Sequence, residues 1–151
     1  EMRLYPNGRL AAHVLGGAQF GRESVHAAEV IGAAGIERTL DGYLRDVGNT
    51  DAPLQLSLDA SVQAEVEWLL AGGMHLMSAQ GAAAVLMDVH TGEVIALASL
   101  PNFDPNERPV GSGLDPDNPI FNRAVQGVYE LGSTFQIFAA AQAMELEAGS
   151  P

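Results

Sequence analysis

The segment that could carry a nucleophile is residues 129–136 (YELGSTFQ), in which a glycine directly precedes Ser133. The residues after Ser133 predict a helix, and free N–H groups at a helix start favour negative charge on a nearby oxygen. A serine at this place could be activated and an oxyanion stabilised. The same residues also fit a capping box, in which Ser133 and Gln136 each accept from the other's backbone N–H. From the residues alone the capping box is the simpler interpretation, and both remain open.

Other chemistry is restricted by residue types that are missing or badly spaced. The chain has no cysteine, and its seven basic residues are all arginine, which excludes thiol and amine nucleophiles. The histidines lack the i, i+4 spacing of a helical metal site, and they are His13, His26, His75 and His90. The sequence therefore predicts no metal and no cofactor.

The charge balance limits the partners. Nineteen acidic residues against seven basic ones give a net charge of −12, and no three bases are consecutive. Affinity for a phosphate backbone depends on clustered Lys and Arg, so a nucleic-acid partner is not expected. No apolar run approaches the roughly 20 residues of a membrane-spanning helix, and the first residues do not resemble a signal peptide. Both chain ends suggest a segment of a longer protein.

The pattern of the chain predicts an α+β protein in two parts, with a boundary in the turn-rich segment 47–53. Residues 1–50 favour strands and loops, except that Ile36, Leu40, Tyr43 and Leu44 share one helical face. Arg3 and Glu37 of this region could form a long-range ion pair, or both could be ordinary surface residues.

The second part contains the more regular patterns. Residues 54–58 alternate as a strand does, and Asp59 is a suitable N-cap for a helix over 60–79. Two apolar runs, 82–89 and 93–100, surround a Gly-containing turn and predict a hairpin with both faces buried. The proline-rich residues 101–120 predict a long loop, and a helix is expected from Ser133 to about residue 147.

Several of these segments resemble the class B penicillin-binding proteins. Residues 129–138 are similar to the family's S-x-x-K active-site motif, and the hairpin with residues 101–106 is similar to its opening strands and loop. Six residues match the R-x-x-P-x-G and G-x-E-x-x-x-x-x-x-L motifs of the family's pedestal (dimerisation) domain: Arg3, Pro6, Gly8, Gly35, Glu37 and Leu44.

The resemblance implies a small loop-rich pedestal domain (1–50, its C-terminal part) followed by the truncated N-terminal portion of a serine β-lactamase-like transpeptidase domain (51–151). Ser133 would be the acyl-forming nucleophile toward a peptidoglycan stem peptide or a β-lactam. Gln136 occupies the position of the motif's general-base lysine, and an amide has no useful basicity. The family's later S-x-N and K-T-G motifs have no counterpart, so we expect this chain to be inactive.

The resemblance also implies a location and partners. The parent would be held at the periplasmic face of the bacterial inner membrane by an N-terminal helix absent from this chain, and its motifs lean toward the division branch. The incomplete transpeptidase portion should expose apolar surface and could form a homodimer. One alternative is a non-catalytic module that docks cell-wall or division proteins. A serine β-lactamase or β-lactam sensor is disfavoured by the pedestal motifs.

Overall fold

The computed structural model describes residues 3–20 and 30–148, which contain both helices and strands. His26 lies outside these residues. In chain order the elements are α1 (Ala12–Leu15), β1 (Gly17–Phe20), β2 (Val30–Ala34), α2 (Gly35–Thr39), α3 (Asp41–Arg45), α4 (Ala60–Leu76), β3 (Ala82–Met87), β4 (Val94–Leu100) and α5 (Gln136–Ala148). Short 3-10 helices lie at Val47–Asn49, Pro105–Glu107 and Gly132–Phe135. The predicted α+β class is confirmed.

The first region is built on the antiparallel pair β1 and β2, with short helices around it. The predicted helical face over 36–44 is split, because α2 ends at Thr39 and α3 begins at Asp41, with Leu40 between them. The Asp41 carboxylate accepts from the Gly32 N–H of β2 at 2.8 Å. This bond ties the start of α3 back to the strand, so the two helical turns do not continue as one helix.

The segment before α4 differs from its prediction. Asp59 caps α4 as expected, since its carboxylate accepts from the N–H groups of Ser61 and Val62. The predicted strand at 54–58 is wrong, because these residues form no ladder. They run beside β4, where the Ser57 hydroxyl donates to Val94 O and the Asp59 N–H donates to Ile95 O.

The next part of the same edge of β4 is bonded by a side chain from α4. Gln63 is 1% exposed, and it bonds both backbone groups of Leu97 on the free edge of β4. Its Oε1 accepts from Leu97 N at 2.8 Å, and its Nε2 donates to Leu97 O at 2.9 Å. The Gln63 amide thereby replaces the strand neighbour that would otherwise continue the sheet.

The predicted hairpin is confirmed. β3 and β4 pair antiparallel from Ala82–Leu100 to Met87–Val94, and Gly92 adopts a φ of 77° in the turn. The Asp88 carboxylate accepts from Thr91 N and His90 N, and these backbone bonds lower the pKa of Asp88 below its ordinary value. The turn is therefore organised by its own polar residues.

Burial of both hairpin faces is correct for most of β4 and wrong for β3. Ala96, Ala98 and Leu100 are buried, whereas Val85, Leu86 and Met87 are 52%, 46% and 53% exposed. β3 is the outer strand of a two-stranded sheet, and no strand in the described ranges pairs with its other edge.

Residues 101–120 form the predicted loop, and the loop contributes to the core. Phe103 and Ile120 from this loop pack with Ala12 of α1. Side chains also bond across the predicted boundary, for example Asn106 with both backbone groups of Tyr5 at 2.9 Å. The domain boundary near residue 50 stays a prediction. Within residues 3–20 and 30–148, no helix combines the length and apolarity needed to cross a bilayer.

Candidate functional site

Ser133 lies in the 3-10 helix Gly132–Phe135, directly before α5. Gly132 has a φ of 54°, which lets the chain turn sharply into the helical segment. The Thr134 N–H bonds back to Leu131 O at 3.1 Å. The serine is exposed and stands where the helical segment begins.

The predicted capping box does not form. No hydrogen bond involves the Ser133 hydroxyl anywhere in the described ranges, and the 3-10 helix has no side-chain cap. Ser133 lies inside the 3-10 turn, and its backbone carbonyl accepts a hydrogen bond from the Gln136 N–H. The hydroxyl is therefore left open to an incoming group. Its role as nucleophile remains a prediction.

Gln136 is the first residue of α5, three positions after Ser133 and one turn along. Its side chain is exposed and makes no hydrogen bond with any described residue. A carboxamide donates and accepts hydrogen bonds but does not take up a proton near neutral pH. Gln136 therefore cannot act as a general base for Ser133, whose role as nucleophile is a prediction.

The predicted apolar exposure around Ser133 is confirmed. Phe135 and Phe138 stack against each other with ring centroids 5.1 Å apart, yet both remain exposed. Six large apolar side chains of this segment are at least half exposed: Leu131, Phe135, Ile137, Phe138, Met144 and Leu146. Homodimer formation through this surface stays a prediction.

The pedestal-motif residues Arg3 and Glu37 form an ion pair. Arg3 Nε and Glu37 Oε2 are 3.4 Å apart, and the side chains retain 30% and 14% exposure. Both atoms are buried without a hydrogen bond in the described part of the chain, so their charges are what pairs them. Of the two interpretations that the sequence left open, the ion pair is the one observed.

Tyr5 extends this pair into β1. Its hydroxyl donates to Glu37 Oε1 at 3.3 Å and accepts from the Ala18 N–H at 3.0 Å. Burial, with the Glu37 charge next, raises the pKa of Tyr5 above its ordinary value of 10.0. The neutral phenol therefore connects the N-terminal segment, α2 and β1.

A double-mutant cycle is expected to show that Arg3 and Glu37 interact. Arg3→Ala and Glu37→Ala together should destabilise the chain by less than the sum of the single effects, with a coupling of about 0.5–1.5 kcal/mol, since Arg3 is partly screened by solvent. Urea unfolding of the four proteins gives the coupling. Additive effects contradict the interaction, and Arg9→Ala with Glu37→Ala is a matched control for which additivity is expected.

The remaining pedestal-motif residues shape the backbone. Pro6 and Gly8 belong to a turn closed by the Gly8 N–H and Tyr5 O at 3.0 Å, with Gly8 at a φ of 56°. A Cβ on Gly35 would lie 2.5 Å from Val14 O, and its φ is 58°, so only glycine fits there. Leu44 is half-buried at the end of α3.

The sequence analysis missed a polar contact centred on Glu67 of α4. Its carboxylate accepts from Ala11 N at 2.9 Å, from Gln63 Nε2 at 2.7 Å and from Asn102 Nδ2 at 3.1 Å. Glu67 follows Gln63 by four positions, which places both on one helix face, but the other two partners are distant in sequence. Glu67 thus joins α1, α4 and the loop.

No group of three metal-ligating side chains occurs within residues 3–20 and 30–148. His13 Nε2 lies 2.7 Å from Pro119 O, and its ring meets Phe103 edge-on at 5.2 Å. Burial lowers the pKa of His13 below its ordinary value of 6.5, so this imidazole is neutral near pH 7.

Comparison with known proteins gives consistent matches. Residues 82–151, which include Ser133 and Gln136, match the penicillin binding protein transpeptidase domain. The probable peptidoglycan D,D-transpeptidase FtsI of Caulobacter vibrioides is 39% identical over 142 residues, covering 93% of this chain and 22% of the relative. The peptidoglycan D,D-transpeptidase MrdA of Acinetobacter baumannii is 33% identical, covering 89% of this chain and 25% of the relative.

The fold has a solved counterpart. The penicillin-binding protein PBP2 of Helicobacter pylori superposes with a TM-score of 0.71 at 24% identity, covering 94% of this chain and 33% of that protein. The chain spans about a quarter of the length of the curated relatives named above.

Proposed function

Because the chain belongs to the class B penicillin-binding proteins and carries part of their transpeptidase domain, we propose that the whole protein is built as a peptidoglycan D,D-transpeptidase. The observation that carries this proposal is the transpeptidase-domain match over residues 82–151, in which Ser133 stands in the 3-10 turn directly before α5. The open hydroxyl of Ser133 supports it.

In the proposed reaction Ser133 Oγ attacks the carbonyl carbon of the penultimate D-alanine in a stem peptide. The bond to the terminal D-alanine breaks, and that D-alanine departs with the serine proton. The rest of the peptide stays attached to Ser133 as an ester. An amine of a second stem peptide then attacks the ester carbonyl carbon. The bond to Ser133 Oγ breaks, the amine proton passes to Oγ, and the new amide is the cross-link. Each tetrahedral intermediate carries an oxyanion, which backbone N–H donors stabilise in reactions of this type. A β-lactam ring is opened by the same attack.

Gln136 sets the rate in this proposal. The Ser133 proton must be accepted as the new bond forms, and a positioned base contributes about 10²–10⁴-fold to such a step. With an amide at position 136, acylation is very slow. The chain is thus predicted to keep the geometry of the site while lacking the group that activates the serine.

A second candidate is a non-catalytic module, which the same glutamine favours. Residues 1–50 then act as a pedestal, and the Arg3–Glu37 pair keeps its N-terminal segment fixed. Cell-wall synthesis or division proteins, or a second copy, are the proposed partners. Both candidates place the protein at the periplasmic face of the inner membrane, and the FtsI match supports the division branch.

Prolonged incubation of the whole protein with a penicillin, followed by peptide mass spectrometry, tests the proposal. We expect slow appearance of one intact penicillin mass on the peptide that contains Ser133, and no adduct in Ser133→Ala. An adduct on another residue contradicts the assignment of the nucleophile. Full inertness of both the native protein and Gln136→Lys contradicts the transpeptidase proposal and leaves the non-catalytic module.

A further inference from the structure

A cleft of about 810 Å³ lies between α2 and residues 108–126, and Ser133 is not among its lining residues. Its walls come from three separate parts of the chain: α1 and the β2–α2 region on one side, and residues 108–126 on the other. The polar side chains that line it are Arg38, Arg108, His13, Thr39, Asn122 and Gln126.

The charge of this cleft is opposite to that of the chain. The chain carries 19 acidic residues and a net charge of −12, yet none of the cleft residues is an aspartate or glutamate. Two of the seven arginines, Arg38 and Arg108, face the same space. This local excess of positive charge repels cations and attracts anions.

Three of the polar side chains in the cleft already bond to the chain, because Thr39 Oγ1 donates to Gly35 O, Gln126 Nε2 donates to Gly113 O, and His13 Nε2 lies 2.7 Å from Pro119 O. The two arginine side chains make no hydrogen bond with any described residue. Arg108 Nε is buried without a hydrogen-bond partner, and neither Arg38 nor Arg108 forms an ion pair with any described residue. The Asn122 Nδ2 amide is likewise unbonded within residues 3–20 and 30–148, since only its Oδ1 is occupied, by Ala124 N. Of these groups only Arg108 Nε is buried, and a buried donor normally has a partner.

Arg108 is held in place by packing. A Cβ on Gly17 would lie 3.1 Å from Arg108 Cδ, so the arginine stem lies directly against the backbone of β1. An arginine whose stem is fixed loses less entropy when its planar guanidinium binds an oxyanion. The cleft therefore presents at least one positioned donor group.

We propose that this cleft binds a phosphate group. Two guanidinium groups and one amide supply donors from both walls, which suits a tetrahedral dianion with oxygens on several sides. A carboxylate offers two oxygens in one plane and a single charge, so it uses fewer of these donors. The phosphate can belong to a free phosphate or diphosphate, or to the headgroup of an anionic phospholipid.

Calorimetric titration of the whole protein with inorganic phosphate and with diphosphate, at constant ionic strength, tests the proposal. We expect saturable binding that becomes at least tenfold weaker in Arg108→Gln and in Arg38→Gln. Arg9→Gln is the matched control, because Arg9 is an exposed arginine that does not line the cleft, and it should bind as the native protein does. Cosedimentation with phosphatidylglycerol vesicles, against phosphatidylcholine vesicles, tests the lipid source with the same variants.

Saturable binding that depends on Arg38 and Arg108 supports the proposal, and the arm in which it occurs identifies the source. Absence of saturable binding in both arms overturns it, as does an equal loss in Arg9→Gln, which indicates diffuse charge attraction. Tighter binding of succinate than of phosphate overturns the choice of phosphate. If Arg108→Gln does not fold, the exposed Arg38 still permits the test, and Arg108→Lys keeps the charge while removing the planar fork.

Discussion

A Gln136→Lys substitution in the whole protein is expected to accelerate acylation by a fluorescent penicillin about 10²–10⁴-fold, the usual contribution of a positioned general base. Gln136 begins α5 and lies one turn after Ser133, so a lysine at this position would start on the same side of the helix as the serine. Its amine, once neutral, can accept the serine proton, which the carboxamide cannot do.

The acylation rate is best followed by fluorescent labelling and gel analysis under pseudo-first-order conditions. Gln136→Met is the matched control, because methionine has a similar length and no basic atom, and it should label as slowly as the native protein. Ser133→Ala combined with Gln136→Lys should abolish labelling. Equal rates for the native protein and Gln136→Lys would mean that position 136 does not limit the reaction.

Elements that depend on local sequence were predicted well. Asp59 caps α4 through the two N–H groups next to it, and the turn at 90–92 is organised by Asp88 and Gly92 within a few residues. α4 runs to Leu76 through two glycines, because the helix packs against β4 and this tertiary contact outweighs the weak propensity of glycine.

Elements that depend on distant partners were predicted less well. Residues 54–58 alternate as a strand does, but the hydrogen bond they make with β4 comes from the Ser57 side chain, and Gln63 of α4 bonds the next part of that edge at Leu97. The apolar residues of β3 predict two buried faces, yet burial requires a neighbour, and no described strand pairs with the outer edge. Pattern alone does not identify which element supplies the partner.

The candidate site shows the same division. The S-x-x-Q spacing identified Ser133 and Gln136, but it also predicted a capping box, and the 3-10 turn at Gly132 prevents that bond. The three partners of Glu67 are 4, 35 and 56 positions away. A helix-face argument can find Gln63, whereas no local pattern indicates Ala11 or Asn102.

Gln63→Leu is expected to lower the free energy of unfolding by about 2–4 kcal/mol, which is the largest stability effect expected from a single side chain here. Gln63 is 1% exposed and satisfies both the N–H and the C=O of Leu97. Leucine has a similar size but no polar atoms, so both backbone groups would be buried without partners at about 1–3 kcal/mol each. The added apolar burial offsets only part of this cost.

Urea unfolding and hydrogen exchange of the Leu97 amide measure the effect together. The Leu97 N–H should exchange faster in Gln63→Leu, because its hydrogen-bond acceptor is gone. Gln55→Leu is the control, since it makes the same change at an exposed position and should leave the exchange of the Leu97 N–H unaltered. Gln63→Glu should be at least as destabilising, because it removes the N–H donor to Leu97 O. It also places a second carboxylate beside Glu67, whose Oε1 accepts from Gln63 Nε2 at 2.7 Å in the native chain. A decrease in the free energy of unfolding below about 1 kcal/mol, with unchanged exchange at Leu97, would contradict this role of Gln63. Water or a shifted strand would then satisfy the edge of β4.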